Sequence, residues 1–415
     1  MKSSTLISQI IISAIMIGTG CVTAQVTFSR IASSAVTAPG GAPFSNTRPP
    51  AYRNGRAVFL SSPSGEGIYL KDGPTYTKCA DHFTTFPGGT SGITAYGSLV
   101  APTEAITLSS DGTVAFLGHG GGASGICIFK NGILSTAAST NTPTPIPSGT
   151  GNFTGFGDPQ FDAATGLLLF PGGAPGQGGI FTSSSASMAR IADRTYSNPG
   201  GAGLVASLAN AAIHNGVAAV LVKQTGGTFP CVATGNGGPL TLIAGTATVA
   251  PNTAATFTEF SLPVISSGGV TFYGRAGSVT GLYTTIGGTL RRIVDSTQTY
   301  PGSATPFNFS GFPMDRWIVT ASGNRVAFVL DNGTSPFESA IFVWDGDTNS
   351  LTKILKDGDA FDGGTASFFE LHSQGLDGNN LAFKVAITGG INAGYAAYVA
   401  TLGPTSAVGD WTSYE

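Results

Sequence analysis

The sequence predicts an all-β chain folded as a seven-bladed β-propeller with four-stranded blades, closed by the N-terminal strand completing the last blade. Three observations predict it. One short apolar run recurs seven times, as "RAVFL", "TVAFLG", "LLLFPG", "VAAVLV", "VTFYG", "VAFVL" and "LAFKV". The anchors in these runs (Phe59, Phe116, Phe170, Val220, Phe272, Phe328 and Phe383) are spaced by 57, 54, 50, 52, 56 and 55 residues. The chain also opens with a fragment that elsewhere ends a repeat, and it closes without one.

Residues 1–24 read as a secretory leader: Lys2, an apolar run over 6–16, then the small residues Val22-Thr23-Ala24 before Gln25. The run is too short to span a bilayer. A rival reading cuts before Cys21 and leaves a lipid-anchored cysteine, but Gly18 stands where lipoprotein leaders favour Leu. The mature chain is therefore expected outside the cytoplasm, secreted, periplasmic or at the cell surface. A single propeller is expected over 25–404, with a tail over 405–415.

Within each unit the anchor run follows a polar turn with Gly or Asn, such as "SSDG" or "LDGNN", as a tight hairpin requires. A second β-rich run, "GIYL" or "GICIF", comes about ten residues later. A third, such as "LTKIL", follows another glycine turn, and a more polar one, such as "TEAITL", precedes the anchor. Four short strands repeated at about fifty residues indicate propeller blades. A sheet packed between two neighbours is apolar on both faces, which accounts for consecutive runs such as Val114-Ala115-Phe116-Leu117.

The third run leads into a fixed phrase: an apolar residue, then Pro or Asp eight positions later, then glycines. The pairs are Ile31–Pro39, Cys79–Pro87, Ile191–Pro199, Ile243–Pro251, Ile293–Pro301 and Ile354–Asp362, with Ala137–Pro147 two residues longer. The first phrase precedes every anchor, and Phe383 has none after it. The strand at about 26–32 is thus expected to complete the last blade, at about 371–402, removing the open edges that invite aggregation.

Composition excludes several classes. Lys plus Arg number 19 against 22 Asp plus Glu, and only 10% of residues are charged, so neither nucleic acid nor an anionic membrane is implied as partner. Gly numbers 61, which suits many turns. Cys79, Cys127 and Cys231 remain after the leader, an odd count with no CxxC, and they read as packed thiols. A Cys79–Cys127 bridge is the other reading.

The phrase "IAD…PGG…FTxF…VAFxG…GIY…GGxL" resembles an uncharacterised family of secreted bacterial tandem-repeat proteins, several of which end in surface sorting anchors. The best copies lie at 163–201 and 262–302. "SSDGTVAF" and "LDGNNLAF" look like hairpins of TolB-type and WD40-type propellers, which are mainly binding scaffolds. The resemblance implies a propeller and export, and leaves activity open.

Chemistry-bearing motifs are sparse. No GxSxG elbow, HExxH or Walker loop is present. "WDGDTN" spaces oxygens like the start of a calcium loop, but Lys356 stands where the bidentate Glu belongs, so the segment reads as a turn. Asn152, Asn308 and Asn332 lie in N-x-S/T sequons. His82, His119 and His214 read as loop or packing residues, and His372 as the start of the last inner strand.

One pattern recurs: Glu104 and Asp158 precede their anchors by 12 residues, and Glu259, Asp315 and Glu370 by 13. Carboxylates converging at one mouth of the channel would repel unless a cation sat between them. They are the candidate metal ligands, for calcium, with His372 and Arg316 as candidate ligand-binding neighbours. The expected function is a non-enzymatic, monomeric binding or surface scaffold for a glycan, peptide or envelope protein. A propeller hydrolase or lyase using paired carboxylates on polysaccharide is the alternative, and a purely structural repeat the third reading.

Overall fold

The structure is a computed structural model describing residues 26–63, 66–96, 106–146, 151–175, 177–184, 187–223, 231–309, 319–333 and 338–403. Seven antiparallel sheets follow one another along the chain. Blade 1 shows the plan: Ala51–Arg53 innermost, then Arg56–Ser61, Gly67–Asp72 and Thr75–Asp81 outermost. Every anchor falls on the second strand of its blade, from Arg56–Ser61 to Asn380–Thr388. No helix among the described residues is long and apolar enough to cross a membrane.

The N-terminal strand Thr27–Ala32 lies antiparallel to Gly394–Thr401, with Thr27 opposite Thr401 and Arg30 opposite Tyr398. Blade 7 thus reads, from outside inward, Thr27–Ala32, Gly394–Thr401, Asn380–Thr388, Gly364–Asp377 and Ala360–Phe361. Its inner strand begins earlier than the sequence suggested, because Phe361 belongs to this sheet and packs edge-on to Phe28 at 5.1 Å. His372 consequently sits inside the strand rather than at its start. His119 likewise lies on the strand Val114–Gly120, not in the glycine loop that follows.

Both faces of each blade are used. On Arg325–Asp331, Val326, Phe328 and Leu330 pack with Tyr273 and Leu282 of blade 5, while Ala327 and Val329 pack with Phe369 and Phe383 of blade 7. The period-2 alternation of a strand sends neighbours in opposite directions. Seven separate cores result, one at each junction between blades. All seven anchors face the preceding blade, as Phe59 faces Ala382 and Val399, and Phe116 faces Val58 and Leu60. Each buried Phe contributes about 1.5–3 kcal/mol.

The repeated phrase has a matching local structure. Opposite the anchor stands a second ring, giving near-parallel pairs Phe59–Tyr69, Phe170–Phe181, Phe272–Tyr283, Phe328–Phe342 and Phe383–Tyr398. A third ring, from just before the inner strand or from its first residue, meets that pair edge-on, as Phe257 meets Tyr283 at 4.9 Å and 88°. The glycine of "FxG" leaves room for it: a Cβ at Gly274 would lie 2.6 Å from the Phe257 ring. In blade 2, Cys127 takes the place of the second ring, opposite Phe116.

The outermost pair of every blade carries a register shift near the start of the phrase. In blades 1, 3 and 5 an aspartate then caps the turn. Asp81, Asp193 and Asp295 each accept from the backbone N two residues on, at 2.8–3.0 Å, and pair with Lys78, Arg190 and Arg292. Burial alone would raise the Asp193 carboxyl, but bonds from Thr195 and Arg190 outweigh it and hold it below the ordinary value. The three cysteines are buried free thiols, pushed up to about 12 by burial, so the bridge is not formed.

Two stability experiments probe this construction. Gly274→Ala forces a methyl against Phe257, whose ring is held by Phe260, Phe272 and Tyr283. Unfolding in urea should show a loss of about 1–3 kcal/mol, and an unchanged midpoint would contradict the packing. Arg30→Ala removes the partner that the first strand gives to Asp362 and Tyr398 across the closure. Leaving those buried groups short of a donor should cost about 1–3 kcal/mol in the same assay.

Candidate functional site

The inner strands do not run straight past the channel. On Gly364–Asp377, Leu371 pairs with Phe383 and Leu376 with Leu381, so residues 372–375 leave the ladder as a wide bulge. Gly375 makes it possible, since a Cβ there would lie 2.8 Å from Ala382 O and 3.0 Å from His372 O. Smaller excursions occur in blade 4 between Ala209 and Ala212, and in blade 5 between Ser261 and Val264.

The blade 7 bulge bonds to blades on the far side of the ring. His372 Nδ1 accepts from Gln374 N at 3.0 Å, which leaves the proton on Nε2, donated to Ile106 O of blade 2 at 2.9 Å. Gln374 Nε2 donates to Phe161 O of blade 3 at 2.6 Å, and Gln374 Oε1 accepts from Thr107 of blade 2. Thr107 Oγ1 in turn accepts from Phe161 N at 2.8 Å. Ser373 O accepts from Thr320 Oγ1 of blade 6 at 2.9 Å, and Ser373 Oγ from Gln160 Nε2 of blade 3 at 3.3 Å. Blade 7 neighbours only blades 1 and 6, so bonds to blades 2 and 3 mean that the bulge crosses the channel and plugs it.

Above the plug a cup of about 200 Å³ opens between the hairpins that join first and second strands. Six blades contribute: Arg53, Ala164, His214, Ser266, Ser322 and Asp377 stand on its wall, and Ser373 and Gln374 on its floor. Each wall residue precedes its anchor by six positions. Arg53 Nη1 pairs with Asp377 at 3.2 Å across the closure between blades 1 and 7, and Asp377 also accepts from Asn54 N at 2.8 Å. Arg53 Nε is buried without a partner. Ser266 Oγ donates to Gly323 O at 2.7 Å and Ser322 Oγ accepts from Gly378 N at 3.0 Å.

The sequence-predicted carboxylates are placed differently. Glu370 faces Lys384 directly across the ladder, 2.7 Å apart, and Glu259 faces Arg275, 2.9 Å apart. In blades 5 and 7, then, the recurring acid serves a cation opposite it on the second strand. Asp158 lies on the loop between Gly155–Phe156 and Gln160–Phe161, half-buried and bonded. Glu104, Asp315 and Arg316 lie outside the described residues. Among the described residues no three His, Cys, Asp or Glu side chains gather as a metal site would require. "WDGDTN" is a turn, with Asp345 paired to Arg325 and accepting from Asp347 N. His372 is a node of the plug, both its nitrogens engaged.

Sequence reasoning missed Arg53, His214, Asp377 and the plug glutamine Gln374. A signal existed in the position six before each anchor, but the residue there is serine in only three blades (Ser110, Ser266 and Ser322) and differs in each of the others.

Burial pushes the His372 imidazole down to about 4, against 6.5 when exposed. Between those values the unfolded chain binds the extra proton, so the stability gained by keeping His372 neutral is lost as pH falls from about 6.5 towards 4. The loss amounts to about 3 kcal/mol. His372→Asn, whose Oδ1 replaces Nδ1 as acceptor, should remove that part of the pH slope in urea unfolding between pH 7 and 4. An identical slope in wild type and variant would contradict a neutral, buried ring.

Comparisons with known proteins agree with this architecture. The β-propeller domain of the Trilobed protease from Pyrococcus furiosus, described as having an open velcro topology, matches with a TM-score of 0.50 and 11% identity, covering 86% of this chain and 97% of that one. The Pyrococcus horikoshii acylaminoacyl peptidase matches at 10% identity and a TM-score of 0.47 over 85% of this chain, which spans half of that peptidase. The first of these likenesses shows the fold alone. No curated protein sequence matches the chain. Residues 63–394 match the model of a family of unknown function, DUF7453, and the chain belongs to that family.

Proposed function

We propose that the protein is an exported, non-enzymatic propeller that binds the end of a neutral saccharide in the plugged cup. The observation that carries this reading is the character of the cup wall. Its charges are compensated, Arg53 by Asp377, and between them stand hydroxyls and amides held on rigid strand ends. Sugar hydroxyls, each donor and acceptor at once, suit such an alternating wall. The half-buried His214 and the unpartnered Arg53 Nε supply groups not consumed inside the protein. The two described carboxylates nearest the hydrolase reading, Glu259 and Glu370, are held by Arg275 and Lys384. Export rests on the leader at 1–24 and is tested by finding Gln25 at the mature N-terminus.

A neutral-glycan array probed with wild type and with His214→Ala and Arg53→Gln decides the matter. Retained binding by wild type, reduced at least about tenfold in either variant, corresponds to roughly 1.4 kcal/mol or more and is the expected result. Release of shortened product from any bound glycan would instead favour a hydrolase or lyase, and binding indifferent to both substitutions would move the site elsewhere.

A further inference from the structure

A second pocket, remote from the channel, has a different chemistry. It is a groove of about 190 Å³ between the outer parts of blades 5 and 6, lined by Arg291, Gln298, Trp344 and Asn349. Arg291 opens the outer strand Arg291–Asp295, and its guanidinium lies over the Trp344 ring at 4.6 Å. Nη2 donates to Gly346 O at 3.2 Å, while Nε is buried with no partner. Two glycines leave space for the stack: a Cβ at Gly346 would lie 3.0 Å from the Trp344 ring, and one at Gly287 3.3 Å from Arg291 Nη2.

This arginine is unlike the other half-buried arginines. Arg30, Arg53, Arg56, Arg190, Arg275, Arg292 and Arg325 each face a carboxylate within 3.2 Å. Arg291 pairs with none among the described residues. The acid that acts on it through space, Asp347, accepts a bond from Asn324 instead, at 2.7 Å. Burial outweighs the pull of that unpaired carboxylate and takes the Arg291 guanidinium below its ordinary value.

The neighbouring amides are oriented by the protein. Gln298 Oε1 accepts from Asp295 N at 2.9 Å, and Asn349 Oδ1 accepts from Trp344 Nε1 at 3.2 Å. Backbone N–H and indole N–H can only donate, so both amides must present oxygen to the protein. Their NH2 groups, which have no partner among the described residues, remain for the groove. The pocket therefore offers a guanidinium edge and two amide donors, the oxygens of those two amides being committed inside the protein.

We infer that this groove is a carboxylate-binding site, with Arg291 as the charged donor and Gln298 and Asn349 as flanking donors. A planar monoanion with acceptor oxygens only is the complement of such a set. Acidic sugars and peptide C-termini both carry that group. The site is independent of the cup and does not rest on the reading given to it.

The test is titration of the full mature chain with glucuronate and, separately, with N-acetyl-alanine, using glucose as the neutral control. Saturable binding of either carboxylate, absent with glucose and weakened at least about tenfold by both Arg291→Gln and Arg291→Lys, is expected, because lysine keeps the charge but loses the fork. Preference between the two probes identifies an acidic glycan or a peptide end as the source. The indole N–H resonance of Trp344 in wild type should shift along the same saturation curve, which keeps the test open if a variant fails to fold. Failure of both probes to saturate at about ten millimolar, equal binding of glucose, or a Trp344 resonance that stays fixed would overturn the site.

Discussion

The pairing of Thr27–Ala32 with Gly394–Thr401 is the constraint on which the remaining structure depends. Every blade is apolar on both faces, so a blade is stable only between two neighbours, and a row of seven would leave two faces bare. Closing the ring converts those faces into the seventh core, where Phe44, Phe59 and Tyr69 of the first unit meet Ala382 and Val399 of the last. The strand joins through its edge bonds and through side chains together. Phe28 packs on Phe361 and Phe383, and Arg30 reaches Asp362 and Tyr398, whose hydroxyl donates to the same carboxylate. Here the two ends of the chain share one sheet.

Closure also fixes what the inner strands can do. Once the blade spacing is set, an inner strand with extra residues must send them into the channel. Blade 7 sends four, and their polar groups are satisfied only because blades 2, 3 and 6 present two carbonyls, two hydroxyls and an amide at matching distances. Unsatisfied, such buried groups would each cost about 1–3 kcal/mol. Satisfied, they tie opposite sides of the ring together and give the cup a rigid floor. Bulges of this kind stand beside functional openings in many sheets, because they re-aim side chains without breaking the strand.

Much of the fold was legible because it follows from local physical rules repeated seven times. The anchors mark the face turned to the preceding blade, and in blades 3 and 5 the glycine two places on, Gly172 or Gly274, marks where a third ring must fit. Blade 4 reads weakly, since Val220 meets Val205 and Ala233 where other blades place rings. The start of blade 7 was obscured because Phe361 does the work of a loop aromatic from within the sheet. The plug was not legible at all. What makes His372 and Gln374 structural is the identity of partners more than 200 residues away, and no spacing rule contains that. The recurring carboxylates form a pattern in the sequence, and in blades 5 and 7 that pattern is a ladder pair, whose other half, Arg275 or Lys384, lies after the anchor rather than before it.

The same reasoning separates structural polar groups from those available to a ligand. A buried donor or acceptor in a repeated position normally finds its partner within the repeat, as Asp193 finds Arg190 and Thr195. Arg291 and Arg292 are adjacent on one strand and show both outcomes: Arg292 turns to Asp295, 3.0 Å away, while Arg291 stacks on Trp344 with an unpartnered Nε. Folding alone gives no reason to bury a cation against an indole without a counter-charge, because the desolvation is unfavourable and the stack recovers only about 0.5–2 kcal/mol. A guanidinium retained there, flanked by amides whose oxygens are already committed, is therefore better explained by what it can meet from outside the chain than by what it contributes within it.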